Sequence, residues 1–86
     1  MTTTTEALAR YETAQEILGM LAAMRTRWIY EEEKKDAPDD DKIAQWKKEQ
    51  AYFRDEDKAL LFTDSGKTER VITAYGPIVK AHFAKA

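Results

Sequence analysis

The chain has 86 residues, 43% hydrophobic and 35% charged, with no cysteine and a formal net charge of −2. That length suits one small domain with a single core, and two Trp, four Tyr and three Phe argue against disorder throughout. The lack of cysteine excludes a disulfide framework, a thiolate zinc site and a cysteine nucleophile, and a mildly acidic balance lacks the basic footprint of most nucleic-acid binders.

The first element starts at a capping pattern, Thr3 followed by Glu6 three positions on. Residues 1–4 are expected to fray. Apolar residues then recur at Ala7, Tyr11, Ala14, Leu18, Leu21 and Trp28, with Ile17 and Met24 widening the stripe. Steps of three and four define one helix face, so a first helix is expected over about 5–33, roughly 40 Å long at 1.5 Å per residue. Gly19 costs that helix about 1 kcal/mol relative to Ala, unless a neighbouring backbone approaches closely there.

Residues 34–40 form the hairpin loop, marked by Asp36-Ala-Pro-Asp-Asp-Asp41. Pro38 suits a first helical turn, where its missing N–H is no loss. The Asp run suits a positive helix N-terminus. A second helix is expected over about 38–60, with a seam at Ile43, Trp46, Gln50, Phe53, Asp57 and Leu60. Two long helices joined by a short loop lie antiparallel. A fold about Ala37 pairs Trp28 with Trp46, Leu21 with Phe53, Ala14 with Leu60 and Met24 with Gln50, and sets Arg25 level with Glu49. It also sets Asp57 opposite Ile17, an unwelcome place for a carboxylate. Either the second helix ends or bends between Arg54 and Lys58, which is the favoured expectation, or the seam opens there.

Residues 61–66 are a turn. Val71, Ile72 and Tyr75 mark a short helix, Gly76-Pro77 breaks it, and Ile78, Val79, His82 and Phe83 mark a second short one. The rival reading is a β-hairpin of 59–63 with 68–75, which is marginal unless packed on something else. The fold class is thus all-α: a long antiparallel helical hairpin plus two short C-terminal helices.

None of the short motifs carries specific chemistry. Gly66-Lys67-Thr68 resembles the end of a phosphate-binding loop, but Leu61 stands where that pattern needs glycine. Asp39 and Asp41 alternate as calcium ligands do, yet Ile43 and Ala44 follow where a ligand and a glycine belong. His82, the only histidine, reads as a packed structural side chain. No cofactor is expected and no enzyme activity.

The excess of aromatic and aliphatic side chains along a long hairpin points to a partner, most simply a second copy. The expected function is a non-enzymatic helical protein-interaction or regulatory module, self-associating as a homodimer or binding another protein. Its anchors are expected at Trp28, Ile29, Tyr30, Trp46, Tyr52 and Phe53, residue types that dominate interfaces. The alternative is a small DNA-binding accessory protein using Lys67, Arg70, Lys80 and Lys85. No apolar run reaches the ~18–20 residues of a membrane span, and residues 1–6 lack a secretory signal, so a cytoplasmic location is expected.

Overall fold

The computed structural model describes residues 3–84 as three helices, α1 (Thr4–Glu33), α2 (Asp40–Ala59) and α3 (Ser65–Ala84), with no strand among them. The chain is all-α, and the β-hairpin alternative for 59–75 is set aside.

The helix ends follow local chemistry. Thr3 has extended backbone, and its hydroxyl accepts from the Glu6 N–H at 3.1 Å. The helix thus starts at Thr4, inside the segment expected to fray; residues 1 and 2 lie outside the described residues. Asp39 caps α2, its carboxylate accepting from the N–H groups of Asp41 and Lys42. Pro38 therefore lies just before the cap and not in the first turn. Asp64 does the same for α3 through the Lys67 N–H at 2.9 Å.

α1 and α2 form the antiparallel hairpin in the expected register. Trp28 meets Trp46, with ring centroids 5.8 Å apart. The Arg25 Nε donates to Glu49 Oε1 at 3.2 Å. Leu21, Phe53, Ala14 and Leu60 share one buried cluster. Gln50 donates to the Thr26 hydroxyl, and Met24 is buried in the core.

α3 corrects the expected pair of short helices. It runs unbroken through Gly76 and Pro77. Pro77 leaves the Thr73 carbonyl without its helical donor, but both residues are exposed, so water can serve that group. Val71 and Val79, one on each side of the proline, are both buried in the common core. Packing on both sides thus holds the helix together across a residue that local rules treat as a stop.

The direction of α3 follows from two contacts. Arg10 pairs with Glu69, and a Cβ placed on Gly76 would sit 3.7 Å from Ile17 Cδ1. A seven-residue advance on α1 matches a seven-residue advance on α3, so these helices are parallel. The order is up, down, up, with α1 in the middle. Only α1 brings its backbone close to both others. α2 and α3 meet through side chains, Phe53 edge-on to Tyr75 at 5.4 Å and Lys67 paired with Glu56 at 3.1 Å. The result is a flat body of 55 × 27 × 15 Å.

One further expectation changes. α2 does not end before Asp55; it continues to Ala59, where the Leu60 N–H closes the last turn on the Glu56 carbonyl. Asp57 stays half-buried on the seam, its Oδ1 enclosed without a hydrogen-bond partner. Gly19 has no close neighbour, with open space where a side chain would stand. No helix among the described residues is long and apolar enough to cross a membrane.

Candidate functional site

The six expected anchors separate into three groups. Ile29 and Phe53 are both 7% exposed and belong to the interior. They cannot offer surface to a partner, because Phe53 faces α3, an element the hairpin reading placed too loosely. Trp28 and Trp46 are half-buried against each other. The Arg25 guanidinium lies 4.8 Å from the Trp28 ring and 4.9 Å from the Phe53 ring, a cation–π arrangement that ties the hairpin internally. Tyr30 and Tyr52 are the two of the six that are exposed, at 59% and 52%.

The two tyrosines do not share a surface. Tyr52 lies in a shallow groove of about 200 Å³ between α2 and α3, beside Glu56, Lys67 and Tyr75. The Glu56 carboxylate first, and Tyr75 next, push the Tyr52 hydroxyl above its ordinary range. Tyr30 lies on the opposite flank of α2, at a groove of about 670 Å³ floored by Gly19, Ala22, Ala23 and Thr26 and bordered by Arg54. The Lys34 ammonium sits 4.1 Å from the Tyr30 ring. Sequence reading singled out neither Ala23 nor Arg54. Both lie outside the apolar stripes that define the two helix seams.

At the hairpin tip a cleft of about 380 Å³ is lined by Trp28, Trp46, Lys35, Lys42, Glu31 and Glu32. Glu32 is buried there. Its Oε1 accepts from the Lys35 ammonium at 2.9 Å and its Oε2 from the Asp39 N–H at 3.1 Å. These two bonds hold its carboxyl below the usual carboxylate range. Glu32 therefore links the end of α1 to the start of α2, a structural task that occupies both oxygens.

At the other end of the molecule, Ala7, Arg10, Phe62, Ser65, Thr68 and Glu69 line a cleft of about 470 Å³. Thr68 is buried there and its hydroxyl has no partner. Arg10 and Glu69 form a two-pronged pair across the cleft, with Nε to Oε1 at 2.8 Å. That pair lowers the Glu69 carboxyl. Gly66-Lys67-Thr68 is the first turn of α3, capped by Asp64.

The basic set does not gather wholly at one place among the described residues: Lys67 and Arg70 share a groove with Tyr52 and Tyr75, and Lys80 does not line it. Lys67 is half-buried and bound to Glu56. Arg70 and Lys80 are exposed, and Lys85 lies outside the described residues. The acidic runs do not converge either: no group of three or more His, Asp or Glu among the described residues is placed to hold a metal ion. His82 is half-buried with its ring edge-on to Phe83 at 5.1 Å. Compared with known proteins, the chain matches no family model, no curated protein and no solved structure.

Proposed function

We propose that this chain is a non-enzymatic helical interaction module that works by self-association. The observation that carries this reading is the flatness of the fold. A body 15 Å thin backs α1 on one side only. Large apolar side chains consequently stay in water on all three helices: Met20 and Tyr30 on α1, Tyr52 on α2, Ile78 and Phe83 on α3, with Leu61 and Phe62 in the connection. Apolar surface of this kind on a small protein marks a contact surface. A second copy is the simplest partner, because one patch used twice closes a two-fold dimer.

The test is a mass in solution. Light scattering at tens of micromolar should give about twice the 9.9 kDa chain mass. A monomer mass at that concentration would overturn the reading.

A further inference from the structure

One stripe on the open side of α1 has an order that fits a second copy of itself. It comprises Glu12, Glu16, Gly19, Ala23, Arg27, Tyr30 and Lys34, all exposed. Their spacings are 4, 3, 4, 4, 3 and 4, so each residue lies on one helix face. The spacing is palindromic about Ala23. The charge is reversed about the same point: two acids on the N-terminal side, two bases on the C-terminal side.

We infer that α1 pairs antiparallel with α1 of a second copy, the two-fold axis passing at Ala23. This rests on the self-association proposed above and assigns it to the α1 face, on which Tyr30 is the one side chain from the exposed apolar set named there. In this register Glu12 stands opposite Lys34 of the second copy, each about 16 Å from the axis at 1.5 Å per residue. Glu16 stands opposite Tyr30, one turn from Arg27. Ala23 meets Ala23, where small side chains let the helices approach. No like charges face each other, whereas a parallel pair would stack Glu12 on Glu12 and Lys34 on Lys34. Opposed charge of this kind selects orientation and partner.

Three observations support the face as unpartnered within one chain. Glu12 and Glu16 have no ion pair among the described residues, Lys34 lies over the Tyr30 ring, and Arg27 pairs with Glu31 of its own helix in an exposed pair. The groove beside the stripe has a volume of about 670 Å³. Arg54 and Asp57 of α2 line the same groove on the Tyr30 side, and neither has an ion pair among the described residues.

Two double variants test the register. Glu12→Lys with Glu16→Lys makes the stripe entirely basic; Arg27→Glu with Lys34→Glu makes it entirely acidic. Each alone should be a monomer at concentrations where the wild type is a dimer, with association at least tenfold weaker. An equimolar mixture of the two should restore a dimer mass, which also shows that both fold. Cysteine cross-linking adds a second readout in this cysteine-free chain. Ala23→Cys should form an interchain disulfide under mild oxidant, and Tyr30→Cys should not. A wild-type dimer that both double variants preserve would overturn the register and leave self-association standing. A wild-type monomer would remove both.

Discussion

The Trp28 and Trp46 rings face each other at 5.8 Å, tilted by 54°, and this pair clasps the two arms of the hairpin near its loop. The rings are half-buried, with the tip cleft open beside them. Trp46→Ala should therefore cost less than the ~3–5 kcal/mol of a fully buried aromatic, about 2 kcal/mol. A urea titration followed by circular dichroism would measure it. An unchanged midpoint would show that the clasp contributes no stability.

Phe53 is the more severe site. Its ring meets Tyr75 edge-on and touches the Arg25 guanidinium, so it joins all three helices. Phe53→Ala should cost about 3–5 kcal/mol. A chain of this size is stable by only about 4–13 kcal/mol, so the thermal midpoint should fall by well over ten degrees or the transition should lose cooperativity. A midpoint within two degrees of wild type would contradict the placement of α3.

Asp57 points the other way. Its enclosed Oδ1 has no hydrogen-bond partner, and such an acceptor costs about 1–3 kcal/mol. Asp57→Ala removes the carboxylate and adds helix propensity. The variant should be more stable than wild type by about 1 kcal/mol, read as a higher urea midpoint. A loss of stability would mean that the carboxylate has a favourable partner in solution.

Gly19 offers a second stabilising change. A methyl group there meets nothing within 4 Å, and alanine in a helix interior gains about 0.5–1 kcal/mol over glycine. The gain should appear as a raised melting temperature at sub-micromolar concentration, where self-association does not contribute.

Acid should weaken the fold through Glu32 and Glu69. Hydrogen bonds from Lys35 and from Arg10, respectively, lower these carboxyls in the folded state. A carboxyl with a lowered folded value binds its proton more readily when unfolded, so stability rises with pH. The contribution is complete above the ordinary glutamate value of about 4.3 and is lost as pH falls through the lower folded value. The melting temperature should drop between about pH 5 and pH 3. Glu32→Gln should lower it at pH 7 and flatten part of that drop; an identical pH profile would contradict the role of the Glu32 carboxylate at the tip.

The hairpin was legible because both of its seams are long and in phase. Apolar steps of three and four set the helix faces, the loop sets the antiparallel arrangement, and the arithmetic of a short loop sets Trp28 on Trp46 and Arg25 beside Glu49. The surface anchors were legible only in part. Residue type marked the aromatics, but Ile29 and Phe53 have interior positions that depend on where neighbouring elements pack. The Glu12 to Lys34 stripe lies on a polar face, so a search for apolar periodicity passed over it.

By itself, then, the sequence determined the fold class, the length of α1, the cap at Thr3 and the register of α1 against α2, all of which follow from contacts between near neighbours or across one short loop. Only the tertiary structure decided that α3 is a single helix parallel to α1 and that Asp57 stays within an intact α2. A proline inside a helix costs about 3 kcal/mol, and local rules see that cost alone. Burial of Val71 and Val79 in the core shared with α1, far away in the chain, supplies the opposing free energy.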